Sequence, residues 1–381
     1  MSKLHFATCF VVWSCGAAAA SAAGPYAFTN IADTTSTYSE FYPSRAGRTP
    51  SINNHGEVAF WAVLLDGTEA IRRRSGNQID TIADNSGMLS TIGSPSISDN
   101  GVVVFAATAD DGRAGVFAGS GGPVTTIADS AGPLDSFGSS SDINAAGNVA
   151  YSASLDTTGY AAFVSNGGGA TTVADTTGPL ATIDSPRLND SGAAAFWAFQ
   201  DGGFANDSIH FYQGGALTTI ADQSGPFSGF GNRPGITNDG TVVFSATFDT
   251  GGMGIFKSQS GVVTPVVDTT GPFIGFRFLA ANNHGQVAFI GSLDSGGEGI
   301  FVGPDPTADK VILAGDALFG STLTSIETSH ALNDRGQIAF YYRLANGVSG
   351  IAVASPIPEP STIVLIAAVG LILGTPKPAR R

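Results

Sequence analysis

One turn recurs seven times along this chain: Asn53-Asn54-His55-Gly56, Ser98-Asp99-Asn100-Gly101, Asn144-Ala145-Ala146-Gly147, Asn189-Asp190-Ser191-Gly192, Thr237-Asn238-Asp239-Gly240, Asn282-Asn283-His284-Gly285 and Asn333-Asp334-Arg335-Gly336. The glycines stand 45 to 51 residues apart. A short polar side chain three residues before a glycine predicts a capped tight turn, with the glycine taking the positive φ that other residues avoid. Each turn is followed by apolar residues two and four positions on, from Val58 and Phe60 to Ile338 and Phe340. That spacing places them on one face of a strand. The position between them is Ala59, Val104, Ala150, Ala195, Val243, Ala288 or Ala339. The second face is thus apolar but thinner, which predicts a strand covered on both sides.

Each unit carries more extended segments. A second strand ends in motifs such as Gly115-Val116-Phe117 or Gly254-Ile255-Phe256, and a third ends in Ile82-Ala83-Asp84, Ile127-Ala128-Asp129 or Ile220-Ala221-Asp222. A fourth, such as Ser94-Pro95-Ser96-Ile97, precedes each turn. Four short strands per repeat of this length is the size of a propeller blade, whereas a β-solenoid usually repeats at half the length or less. The Asp that ends the third strand also occurs ahead of the first unit, in Ile31-Ala32-Asp33, while the unit from Asn333 to Ala354 lacks such a strand. Pairing these ends removes an exposed sheet edge. The expected fold is an all-β, seven-bladed β-propeller of four-stranded blades. The segment around Tyr26 to Asp33 closes the ring, and the stretch before each turn lines the channel.

The two ends read as addresses. Residues 1–23 show Lys3, an apolar run from Phe6 to Trp13 and a small-residue end Ala20-Ser21-Ala22-Ala23, the order of a secretory signal peptide. Both cysteines, Cys9 and Cys15, fall in it, so residues 24–355 contain no thiol for a disulfide, a nucleophile or a metal. At the other end, Pro358-Glu359-Pro360 leads into an apolar run from Ile363 to Gly374 and a basic end at Lys377, Arg380 and Arg381. Its apolar core is shorter than the roughly 20 residues that span a bilayer. The tail, 356–381, resembles the PEP-CTERM sorting signal. The resemblance implies export, transient membrane anchoring through a C-terminal helix, processing by an exosortase, and a cell-surface or matrix destination in a Gram-negative bacterium that makes extracellular polysaccharide. The repeat itself is similar to the tandem NxxGxxAF repeats found beside such anchors, a resemblance that implies no catalytic residue.

Acids outnumber bases 31 to 17, which argues against a nucleic-acid partner. Residues shared by every blade are demanded by the fold, so chemistry is sought where the blades differ. The innermost stretches hold Arg45, Arg48, Arg187, Arg233 and Arg277, together with Asp184 and His330. Guanidinium groups gathered in an acidic protein point to an anionic ligand, such as a uronate or sulfate of an acidic exopolysaccharide. The plainer expectation is a hydrated channel whose arginines pair internally. Arg72-Arg73-Arg74 reads as a solvated rim patch or an acidic-partner site, and the hairpin acids from Asp66 to Asp294 as turn residues before calcium ligands. Asp207, Ser208 and His210 invite a hydrolase reading, yet three local residues show no spatial triad. No phosphate loop or His-rich cluster appears, so no cofactor, metal or catalysis is expected. The competing expectations are a channel-mouth glycosidase or lyase, which needs a second carboxylate beside Asp184, and a purely structural matrix protein.

Overall fold

The computed structural model describes residues 26–41, 48–200 and 206–358. The expected leader, Arg45, the blade-four stretch 201–205 and the tail from 359 onward lie outside the described residues. Seven antiparallel sheets form the ring. Blade three shows the plan, with Leu134–Ile143 innermost, then Val149–Leu155, Tyr160–Ser165 and Ala170–Asp175 outermost. In blades one and five the inner strand is split, into Tyr38–Glu40 and Ser51–Ile52, and into Phe227–Phe230 and Gly235–Ile236. Blade seven adds a small inner hairpin, Ala317–Leu318 with Ser321–Glu327. Among the described residues no helix is long and apolar enough to cross a membrane.

The ring closes as the repeat arithmetic requires. Tyr26–Asp33 is the outermost strand of blade seven, antiparallel to Ser349–Pro356, with Tyr26 opposite Pro356 and Asp33 opposite Gly350. The first described strand and the last thereby share one sheet, and neither leaves its partner's edge open.

The two faces of the strand that follows each turn have separate duties. In blade two, Val103 and Phe105 pack with Trp61, Ile71 and Ile82 of blade one. Val104, between them, packs instead with Val149 and Tyr151 of blade three. Blade six repeats this toward blade five, where Val287 and Phe289 meet Val243 and Ile255. Small residues at the intervening position leave room for the large side chains of the next blade, which is why that face reads as thin. Phe60, Phe105, Phe196, Phe244, Phe289 and Phe340 are fully buried. Each such ring contributes on the order of 1.5–3 kcal/mol.

The turn asparagines do more than cap. All seven turn glycines have φ between 72° and 83°. Asn189 Oδ1 accepts the backbone N–H of Ser191 (3.1 Å) and Ala193 (2.9 Å), holding its own turn. Its Nδ2 donates across to Thr237 O of the next blade at 3.1 Å. The same reach joins Asn53 to Ser98, Asn144 to Asn189, Asn282 to Asn333 and, across the closure, Asn333 to Asn53. Ser98 is too short for this: its hydroxyl stays with Val102 of its own turn, at 3.2 Å to the backbone nitrogen. The amide is thus selected by the neighbouring blade as well as by the turn.

The basic triplet corrects the expectation of a solvated patch. Arg73 donates to Gly101 O in blade two (2.5 Å), and Arg74 to Asn30 O in the closing strand (3.1 Å). Arg72 lies 5.9 Å from the Tyr38 ring centroid. The triplet ties blade one to both neighbours.

Candidate functional site: the central channel

Inner strands present the residues that differ from blade to blade. Two positions before the turn Asn, blades one to four carry Ser51, Ser96, Asp142 and Arg187. The last three link in series: Ser96 Oγ donates to Asp142 Oδ1 (2.9 Å), Leu188 N–H donates to Asp142 Oδ2 (2.9 Å), and Arg187 lies 3.6 Å from Asp142. Asp142 was missed in the sequence, although its offset from Asn144 matches that of Arg187 from Asn189.

The structure brings Arg187, Arg233 and His330 around one channel cavity, together with Asp142, Ser96 and Ser141. Burial disfavours the charged form of Arg187, and the nearby Asp142 and Asp184 carboxylates offset this in part. The charged form of Arg233 is likewise disfavoured by burial and then by Arg187, with Asp184 offsetting this in part. His330 is held neutral, first by burial and then by the two guanidinium groups. At this site the guanidinium groups disfavour positive charge on Arg233 and His330, while the Asp142 and Asp184 carboxylates favour that of Arg187. Hydrogen bonding here is incomplete: Arg187 Nε, His330 Nε2 and the hydroxyl of the buried Ser141 are enclosed without a partner. Such groups carry a desolvation cost of about 1–3 kcal/mol each until something meets them.

The arginines divide sharply. Arg277 is heavily engaged: Glu298 takes it in a bidentate pair at 2.7 Å, and Glu327 and Ile326 O accept two further donations. Burial opposes the Arg277 charge, but the hydrogen bonds from Glu298 and Glu327 outweigh it and raise the pKa. Arg48 lies 3.5 Å from Glu69 and over the Trp61 ring at 4.2 Å. Arg233 differs: its hydrogen bond is one 3.4 Å donation to Ser329 Oγ, and no carboxylate of the described residues pairs with it. Asp184 accepts from Ser152 Oγ (3.1 Å) and from the Ser185 N–H (2.7 Å). Glu69, Glu298 and Glu327, which decide which arginines are paired, come from other strands or blades, and no local pattern announces them.

Strain gathers here as well. Ser185 and Phe278, on inner strands, have φ of 53° and 49°, and His330, in the bend after the inner strand of blade seven, has φ of 52°. A bulky residue in the left-handed region costs on the order of 1–3 kcal/mol and is held there by its surroundings. Beside Arg233 a second cavity of about 350 Å³ opens between blades five and six, lined by Phe230, Met253, Phe276, Arg277 and Phe278.

Outside the channel, the remaining candidates have structural work. Asp66 and Asp111 accept the backbone N–H of Thr68 and Arg113, each closing its own turn. Among the described residues no group of three His, Cys, Asp or Glu is placed to hold a metal ion. His210 Nε2 meets Ser208 Oγ at 2.8 Å, but both side chains are buried inside the blade. Asp207 turns away, accepting from Trp197 Nε1 (3.2 Å) and Phe230 N–H (2.9 Å). The local Asp-Ser-His set is therefore not a triad.

A seven-bladed propeller with a polar, arginine-bearing channel is the class that fold and site define. The chain belongs to a family of unknown function, DUF7453, whose model matches residues 73–318 and again 295–364. No curated protein matches it by sequence. Among solved structures, an oligogalacturonate lyase from Vibrio parahaemolyticus is 12% identical, with a TM-score of 0.55 over 88% of this chain and 97% of its own. An oligogalacturonate lyase in complex with manganese gives 10% identity and 0.53 over 89% and 98%. Acylaminoacyl peptidase from Pyrococcus horikoshii gives 11% and 0.52 over 84% of this chain and 53% of its own. At such identities the likeness is one of fold.

Proposed function

We propose that this propeller is an exported, surface-destined binding module whose channel receives an anionic group of an extracellular polysaccharide. The observation that carries this is Arg233, half-buried in the channel wall with no carboxylate partner among the described residues, beside Arg187 and His330. A half-buried cation with no carboxylate partner among the described residues costs desolvation that a ring without a ligand has no reason to retain. Binding is favoured over catalysis because the channel acids are engaged: Asp142 holds Ser96, Leu188 N–H and Arg187, and Asp184 holds Ser152. In this reading the tail, with its Pro358-Glu359-Pro360 motif, anchors the protein in the membrane until an exosortase processes it.

The test is a titration of acidic and neutral oligosaccharides against the wild-type chain and Arg233→Ala. Removing a charge-assisted contact of about 1.5–3 kcal/mol predicts a loss of about tenfold or more for acidic glycans. The affinity should also fall with salt in the wild type. Equal affinity for neutral glycans, or indifference to the substitution, removes the reading.

A further inference from the structure

We infer that the cleft between blades five and six is a subsite for a pyranose ring, and that the ligand class is a uronate. Its carboxylate meets Arg233 while the apolar face of the ring lies on Phe278. This rests on the anionic-ligand reading above and narrows it.

Arg233 borders both the channel cavity and the cleft, so one guanidinium faces both spaces. Its carbon lies 5.9 Å from the Phe278 ring centroid. A uronate carries its carboxylate one bond from the sugar ring, which suits a cation next to an aromatic face. The negative face of an aromatic ring attracts C–H groups, and a planar guanidinium takes a carboxylate through two parallel donors. Phe278 is only partly buried, held at positive φ at the cleft edge, packed on one side against the blade six–seven core and approached by the Arg277 guanidinium at 5.2 Å, so the sugar ring takes what remains of its exposed surface. The second cation of the cleft, Arg277, is occupied by Glu298 and Glu327. Those two carboxylates repel further negative charge, so a sugar with one charge per ring fits better than a multiply sulfated one. Beyond Arg233, the unpartnered Ser141 hydroxyl and His330 Nε2 supply hydrogen-bonding groups at the channel end.

Phe278→Ala removes the platform, and Thr247→Trp, at an exposed lining position, fills the cleft from solvent without touching the core. Glucuronate, glucose and sulfate would be titrated against the whole chain and both variants, with saturation-transfer NMR reporting the sugar ring protons. Both variants should weaken glucuronate at least tenfold and leave sulfate within twofold, and glucose should bind far more weakly than glucuronate. Where Phe278→Ala does not fold, Thr247→Trp decides alone. Unchanged glucuronate affinity with retained sulfate binding overturns the ring subsite and leaves the channel reading standing. Binding of neither anion by the wild-type chain removes both.

Discussion

A single turn asparagine shows how this fold is fixed one side chain at a time. Asn189 is 3% exposed and satisfies two backbone donors of its own turn, the Ser191 hydroxyl and a carbonyl of the next blade. Asn189→Ala leaves those buried groups unpaired and should cost about 2–4 kcal/mol, since each orphaned group carries its full desolvation penalty. Asn189→Ser copies what Ser98 already does in blade two, keeping the turn and losing the cross-blade bond. Its expected cost is nearer 1 kcal/mol. Urea denaturation midpoints for the two variants check the ranking, and equal losses would mean that the cross-blade bond is what matters. The turn role of this asparagine was legible from the spacing Asn-x-x-Gly. Its reach was not, because the acceptor lies 48 residues away and is defined only once blades are stacked.

At the scale of the strand, an aromatic ladder recurs in four blades and is broken by Arg72 opposite Phe60, Ala352 opposite Phe340 and, in blade four, by His210. Phe105 faces Phe117, Tyr151 faces Phe163, Phe244 faces Phe256 and Phe289 faces Phe301, but Phe196 faces His210. The imidazole stacks on Phe196 at 5.3 Å, and burial lowers its pKa from 6.5 to about 4, against a small opposing pull from Asp222. Because the folded value lies below the unfolded one, the unfolded chain takes the proton first. Stability is thus fully present above pH 6.5 and falls as pH drops toward 4, by about 3 kcal/mol from this residue. His210→Phe restores the ladder and should remove that part of the slope, leaving the part that belongs to His330. Melting temperatures between pH 4 and 7 for the two proteins measure it, and superimposable pH profiles would show that His210 does not titrate on unfolding. The strand pattern and the candidate channel residues were readable from apolar spacing and from differences between blades. Which arginine is free was not readable: Arg277 is neutralised by Glu327, 50 residues on, and Arg187 by Asp142, 45 residues back. Such pairings depend on inner-strand bulges, at Asp184 to Arg187 and Arg277 to Leu279, that periodicity does not reveal.

For the whole molecule, closure is a matter of where the chain is cut. The first and last described strands fall within one blade, so Tyr26–Asp33 seals the sheet that Ser349–Pro356 would otherwise leave open. Tyr26 stands opposite Pro356, and a two-residue Asn-Gly hairpin would join them without moving either strand. With the ends joined, a new cut in the hairpin between Tyr160–Ser165 and Ala170–Asp175 makes blade three the shared blade, with the same kind of closing strand. A cut at residues 130–133, between blades two and three, leaves every blade contiguous and the ring held at that seam by packing and turn contacts alone. The first permutant should melt within a few degrees of the parent. The second should lose several kcal/mol, or about 10 °C, because no strand ties its two ends into one sheet. Thermal melts of the pair decide the matter. If both melt alike, the shared blade adds nothing, and the ring is held by the asparagine bonds and the Phe-on-Ala packing between neighbouring blades.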